Sequence, residues 1–313
     1  MINWSKERVF VTGGSGVIGR VLIDRLLSLG ASVFTGDLEP IFPRWQGKVE
    51  GYLGDLNDLD GDVLKAFSPT VCFHLAATFE RSDETYPFWE ENFHHNVRLS
   101  HYILGLLKNL PSCKKVVFAS SYLIYDPSLY LFESPEPPVS LKESSALSPR
   151  NLCGAAKFFH EKELHFFDNF CQSAFSSVSA RIFRSYGRGS KDVISRWIRA
   201  ALRAEPLDVY LPEGRFDYIF ADDVAEGLLR LAACKEARGA YNLGSGNSRS
   251  VSDVVSILKS HFPHLVVKTS AVKGTYESSV ADMTRTKEIL GWSPSHSLET
   301  TIPQIIDYEK SMI

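Results

Sequence analysis

The chain has 313 residues and carries 34 lysines and arginines against 37 aspartates and glutamates, a formal net charge of −3. That length buries a sizeable core in one large or two smaller domains, and the near-neutral balance gives no reason to expect a nucleic-acid or membrane-surface partner. No apolar run approaches the length that spans a bilayer, no cleavable signal segment precedes the first apolar run, and the 5 cysteines are scattered with none paired at metal-ligand spacing. A reducing, cytoplasmic setting without a metal site is the expectation.

The first element is a short apolar strand, Val9 to Val11, closed by Thr12 and Gly13. A helix starts at Val17, with Ile18, Val21, Leu22 and Leu26 at helical spacing. Between them lie Gly13, Gly16 and Gly19. The first glycine permits a tight turn, the second lets the backbone approach a diphosphate, and the third lets helix pack on strand. The unpaired N–H groups and positive dipole of the helix start then face the phosphates. A lone glycine triplet is equally an ordinary strand–helix turn, but the next strand, Ala31–Asp37, ends in a carboxylate. At that distance Asp37 accepts hydrogen bonds from an adenosine ribose and repels a 2′-phosphate, which points to NAD rather than NADP.

Lys48–Leu53 reads as a third strand leading into Gly54, Asp55 and Leu56. Thr70–Ala77 is nearly all apolar and therefore central in a parallel sheet. A long helix over about Phe88–Asn109 carries Asn92 and Asn96 early, and strand Lys115–Ser121 ends in hydroxyls. Asp126–Pro149, rich in proline and serine, reads as a surface excursion. A helix over Asn151–Phe170 and a strand at Val178–Phe183 follow. The alternation predicts a doubly wound, right-handed parallel α/β domain over residues 1–184, with ligands at the carboxyl ends of its strands. Beyond it the elements shorten: helices near Val193–Ala204, Asp222–Ala233, Ser252–Phe262 and Leu298–Lys310, and a strand at Leu207–Leu211. They predict a smaller mixed α/β lobe over 185–313 that faces the substrate, with some segments returning to the first domain.

Taken together, the motifs resemble the extended short-chain dehydrogenase/reductases, in the NAD-dependent epimerase/dehydratase branch that modifies nucleotide sugars. The resemblance runs nearly end to end. It passes through TGGSGVIG (12–19), Asp37, GDL (54–56), HLAA (74–77), Asn96, SSYLIY (120–125), SPRNLCGAAK (148–157) and RIFRSYG (181–187). FDYIFADDVAEGL (216–228), YNLGSG (241–246) and ADMTRTKEILGWSP (281–294) complete it. It implies a Rossmann domain that holds NAD through Gly13, Gly16, Val17, Ile18, Gly19, Asp37, Asp55, Leu56, Leu75, Ala76, Ala77, Asn96 and Lys157. Asp55 and Leu56 would flank the adenine and Lys157 the nicotinamide ribose. Thr78, Ser121, Arg184 and Arg215 would meet a nucleotide-sugar substrate. The two helices near Phe88–Asn109 and Asn151–Phe170 would join a homodimer.

In that family a tyrosine takes a sugar hydroxyl proton as hydride leaves for NAD, helped by a lysine four residues on and a bridging serine or threonine. Four residues put the pair on one helix face, and the ammonium lowers the phenol's pKa. Ser121 matches the serine and Lys157 the lysine, whose ordinary alternative is an ion pair with Glu161. The tyrosine's place, however, is Cys153, whose sulfur stands about 3–4 Å closer to the backbone than a phenol oxygen. Three readings stay open: an acid/base relocated elsewhere, the thiol itself in a changed geometry, or lost catalysis with cofactor binding kept. Tyr122 is the candidate for relocation, with packing in the pocket wall as its alternative. It and Leu123 stand where 4,6-dehydratases carry an aspartate and a glutamate, which argues against that reaction. Arg184 stands where the family has asparagine, and Phe216 where it often has arginine. Arg184 is therefore expected to bind the diphosphate unless it is an ordinary surface arginine. The leading expectation is an NAD-dependent nucleotide-sugar epimerase or related oxidoreductase. A catalytically weak binding homologue comes next, and a 4,6-dehydratase third.

Overall fold

The computed structural model describes residues 2–79, 84–171, 175–270 and 274–312. Seven strands form the main sheet: β1 (Arg8–Thr12), β2 (Ser32–Asp37), β3 (Val49–Leu53), β4 (Val71–His74), β5 (Lys115–Ser121), β6 (Ser176–Ile182) and β7 (Gly239–Leu243). Their order is β7-β6-β5-β4-β1-β2-β3. β1 pairs in parallel with β2 on one side and β4 on the other, so the winding reverses beside β1, where such a sheet opens to a ligand. Around the sheet run α1 (Val17–Ser28), α2 (Gly61–Phe67), α3 (Tyr86–Asn92), α4 (Leu99–Lys108) and α5 (Leu152–Phe170). Phe10, Phe34, Leu64, Phe67, Ile103, Leu107 and Phe118 belong to one buried cluster, because the apolar strands present alternate residues to helices with apolar stripes. The doubly wound α/β class expected from the sequence is the one observed.

Two local expectations change. β4 ends at His74 rather than Ala77, because Thr12 Oγ1 takes the N–H groups of Leu75 and Ala76, each at 3.1 Å, and draws the chain out of the sheet. Its lone pairs so occupied, Thr12 donates its own proton to His74 Nδ1 at 2.7 Å, and the opposite His74 nitrogen meets Ser100 Oγ at 2.9 Å. The single long helix is in fact α3, a π-helical turn over Phe93–Arg98, and α4.

The chain divides into two compact units. The first holds Met1–Tyr125, Leu147–Arg181 and Ala225–Tyr241; the second holds Asp126–Ala146, Ile182–Val224 and Asn242–Ile313. In the second unit, strands Arg184–Tyr186, Arg215–Phe220 and Ser248–Ser250 form a small sheet. Helices Val193–Leu202, Val251–His261 and Leu298–Lys310 enclose a core with it that includes Ile194, Ile198, Phe220, Leu258, Ile302 and Ile305. Buried Asp217 accepts from the N–H groups of Ser245, Gly246 and Ala281 and from Ser245 Oγ, which fixes the turn after Leu243. The 126–149 segment is more than a surface excursion. Its pieces Leu131–Phe132 and Val139–Leu141 pair with Tyr276–Glu277 and Ser279–Ala281, and Tyr130 and Leu141 are buried. Among the described residues no helix is long and apolar enough to cross a membrane.

Candidate functional site

The carboxyl ends of β2, β1, β4 and β5, neighbours in the sheet, carry most of the residues singled out in the first unit. Gly13 has φ +73°, a conformation that suits glycine, and a Cβ there would stand 2.8 Å from Ala76 backbone. A Cβ on Gly19 would lie 2.3 Å from the Gly13 carbonyl oxygen, so the third glycine is needed for close packing of α1 on the loop. Gly16 differs: its Cβ would meet only the Gly13 oxygen, at 3.2 Å. What this position spares is space beside the start of α1, where Gly16 caps the helix without a side-chain hydrogen bond and Val17 and Ile18 open the first turn. The cradle fits a diphosphate.

Asp37, at the end of β2, accepts the Ser15 N–H on one oxygen at 2.8 Å and the Glu39 N–H on the other at 3.0 Å. It ties the glycine loop to the second strand and keeps lone pairs for further donors. Leu56 is buried across Gly36, where a Cβ would stand 2.4 Å from its methyl group. Burial works to raise the Asp55 carboxyl, but hydrogen bonds from His94 and Asn57 outweigh it and hold it at about 2. Leu75 and Ala76 give their N–H groups to Thr12, and Ala77 is exposed.

Asn96 is buried and clasps Thr78 in both directions, accepting its N–H at 2.8 Å and donating to its carbonyl at 3.2 Å. Cys153 joins the same clasp. Its sulfur lies 3.6 Å from the Thr78 carbonyl oxygen and 3.9 Å from Asn96 Nδ2. Thr78 Oγ1 donates to Glu91 at 2.6 Å, a carboxylate that sequence reasoning missed. Ser121 Oγ accepts the Leu123 N–H at 3.2 Å, and Tyr122 beside it is 4 % exposed. Lys157, one turn after Cys153 on α5, sets its ammonium 4.7 Å from the centre of the Phe118 ring. Burial pushes this amine down to about 8, with the Cys153 thiol acting the other way. Glu161 is not its partner. That carboxylate takes a forked bond from Arg181, at 3.1 and 2.8 Å, and a hydroxyl bond from Ser120.

In the second unit the two departures noted in the sequence touch each other. The Arg184 guanidinium lies 4.4 Å from the centre of the Phe216 ring, since Arg184 is paired with Tyr218 and Phe216 is two residues earlier on the same strand face. Arg184 also reaches buried Glu277 at 3.4 Å. Arg215 donates to the Ser248 carbonyl at 3.2 Å. Glu277 could not have been found from spacing, because it lies 93 residues from Arg184.

A parallel sheet whose winding reverses beside a glycine cradle defines an α/β protein made to hold a dinucleotide. The chain belongs to the NAD dependent epimerase/dehydratase family, which it matches over residues 9–244. It is 27 % identical over 326 aligned residues to the UDP-glucose 4-epimerase of Mycolicibacterium smegmatis, covering 96 % of this chain and 98 % of that one. Among solved structures, MoeE5 in complex with UDP-glucose and NAD has a TM-score of 0.83 and 27 % identity, over 97 % of this chain and 99 % of that one. TunA, an NAD dependent NDP-hexosamine 5,6-dehydratase, has a TM-score of 0.83 and 25 % identity, over 98 % of each chain. Similarity of this degree spans both epimerisation and dehydration.

Proposed function

We propose that the protein is an NAD-dependent enzyme that epimerises, or otherwise oxidises and reduces, the sugar of a nucleotide sugar, with an acid/base other than the family's tyrosine. The observation that carries this reading is the glycine cradle at the sheet's switch point, combined with the half-buried Lys157 amine on α5. NAD, when bound, supplies the hydride acceptor. Gly13, Gly16 and Gly19 make room for its diphosphate, Val17 and Ile18 offer N–H donors, and Asp37 offers its remaining lone pairs to the ribose. Lys157 favours the ionised form of any neighbouring acid. Asp55, Leu56, Leu75, Ala76, Ala77 and Asn96 complete the cofactor side, and Thr78, Ser121, Arg184 and Arg215 are assigned to the substrate.

Cys153 is read as a substitution at the tyrosine's place. Its thiol is within reach of the Thr78 carbonyl, a bond that commits the thiol proton to the chain itself. This favours relocation of the acid/base to Tyr122, next to Ser121. The same observation also favours a second reading, a protein that holds NAD and a nucleotide sugar with little turnover. Exchange of hydrogen isotope at a sugar carbon, assayed with NAD and a panel of UDP-, GDP- and TDP-sugars, separates the two. Under the first reading exchange occurs, Cys153→Ala keeps most of it, and Tyr122→Phe loses about a hundredfold. Loss in Cys153→Ala with normal Tyr122→Phe makes the thiol catalytic. Cofactor retention without exchange in any of the three proteins supports the binding reading. Two exposed aromatic stripes, Tyr86, Trp89 and Phe93 on one helix and Phe159, Phe166 and Phe170 on α5, support assembly as a homodimer through these helices.

A further inference from the structure

In the first unit one carboxylate and two imidazoles meet away from the clasp around Cys153. Asp55, His94 and His95 each bring one ligating atom within 4.8 Å of the others. Asp55 leaves the sheet after β3, and His94 follows 39 residues later, so spacing gives no hint of the meeting. On an α-helix, successive side chains point about 100° apart. The π-helical turn over Phe93–Arg98 winds less per residue and sets the two histidine rings nearly perpendicular, with centroids 4.7 Å apart. Asn57 fixes the carboxylate from the other side. Its N–H and its Nδ2 both donate to Asp55 Oδ1, at 2.9 and 3.0 Å, which leaves Oδ2 turned to His94 Nε2. Asp55 and both histidines are half-buried.

Two imidazoles and one carboxylate form a donor set that suits zinc, cobalt or nickel and discriminates against calcium and magnesium, which take all-oxygen shells. We propose that Asp55, His94 and His95 form a binding site for a divalent transition-metal ion, with Asn57 positioning the carboxylate. Bonds of about 2.0–2.2 Å place ligand atoms about 3–3.5 Å apart around such an ion, so His94 Nε2 and Asp55 Oδ2, now in hydrogen-bond contact, spread as it enters between them. The ion replaces the His94–Asp55 hydrogen bond, and water fills its remaining positions. The site shares Asp55 with the cofactor side of the proposed function, and cofactor-free protein tests it apart from that reading.

Cobalt(II) titrated into cofactor-free, thiol-reduced protein tests the site through its visible absorption. One equivalent is expected to saturate the signal without a thiolate-to-cobalt band, since no cysteine is among the ligands. His95→Ala is expected to weaken binding at least about tenfold, and Asn57→Ala, which frees the carboxylate, about tenfold. Circular dichroism of the metal-free variants establishes that they are folded. No saturable cobalt spectrum, a thiolate band, or equal affinity in wild type and His95→Ala each overturns the proposal and leaves Asp55 and His94 as a plain ion pair.

Discussion

Arg184 illustrates how one side chain takes its meaning from two others. A guanidinium stacked on Phe216 keeps its planar fork edge-on to incoming oxygens, and Glu277 holds one end of it in place. A diphosphate fits that fork better than a single carboxylate at 3.4 Å does. Arg184→Ala is therefore expected to weaken nucleotide-sugar binding by roughly ten- to hundredfold, the equivalent of about 1.5–3 kcal/mol, and to leave NAD affinity unchanged. Calorimetric titration with each ligand checks it, and equal sugar-nucleotide affinity in both proteins would reduce Arg184 to an ordinary structural arginine. The sequence marked Arg184 and Phe216 as departures, yet their contact and the presence of Glu277 were beyond it. The meeting of Gly13, Gly16 and Asp37 around one loop was legible because it follows from local spacing. The Thr78–Asn96–Cys153 clasp was not, since it joins residues from three separate segments.

At the scale of an element, α1 and its glycine loop separate structural need from ligand need. A Cβ on Gly19 meets backbone that cannot move without shifting β1, whereas a Cβ on Gly16 meets one backbone oxygen at 3.2 Å, a tight contact relieved by a shift of a few tenths of an ångström. Gly19→Ala is expected to lower the melting temperature of the cofactor-free protein clearly, and Gly16→Ala to lower it much less while NAD affinity falls. Calorimetry with and without NAD distinguishes them; Gly16→Ala that binds NAD normally would remove the cradle from the cofactor assignment. The buried strands were legible from uninterrupted apolar runs, and α5 from its helical period. The π-helical turn was hidden because it differs from the α-helix by one extra residue in a stretch that is helical throughout. Leu207–Val209 was legible as a strand, but the other short strands of the second unit were hidden for another reason. Arg215–Phe220 pairs with Arg184–Tyr186 from a distant segment, and three to six residues give too little pattern to call a strand.

For the molecule as a whole, two desolvated lysines contribute to the pH dependence. Burial pushes Lys115 and Lys157 each down to about 8 in the folded protein, against about 10.4 in an unfolded chain. Between those values the unfolded chain keeps protons that the folded one has released, so these groups make stability rise with pH across that window. Burial also pushes up the Cys72 and Cys113 thiols, which oppose the rise from about pH 8.5, and the Tyr186 and Tyr218 hydroxyls, which oppose it from about pH 10. The Lys157 contribution is read as the difference in urea midpoint between the cofactor-free wild type and Lys157→Met, which is expected to shift in favour of the wild type from pH 8 to about pH 10. A difference that does not change with pH would mean that the Lys157 amine is not desolvated. Assembly is tested separately. Wild type is expected to sediment at twice 35.0 kDa, and Phe166→Glu with Phe170→Glu as a single chain. A monomeric wild type would leave the aromatic stripes to another role.

The division of the chain has a consequence for how the protein comes into being on the ribosome. The first unit is not finished when its sixth strand has been made. It still lacks Ala225–Tyr241, which is synthesised only after the whole of Ile182–Val224 has gone into the other unit. Until then β6 presents an open edge, an invitation to pair with a neighbouring nascent chain. The Lys115 amine also waits, because the carbonyls that receive it belong to Cys234 and Ala237. The two units therefore cannot mature one after the other, and folding is completed late, with most of the polypeptide already outside the exit tunnel.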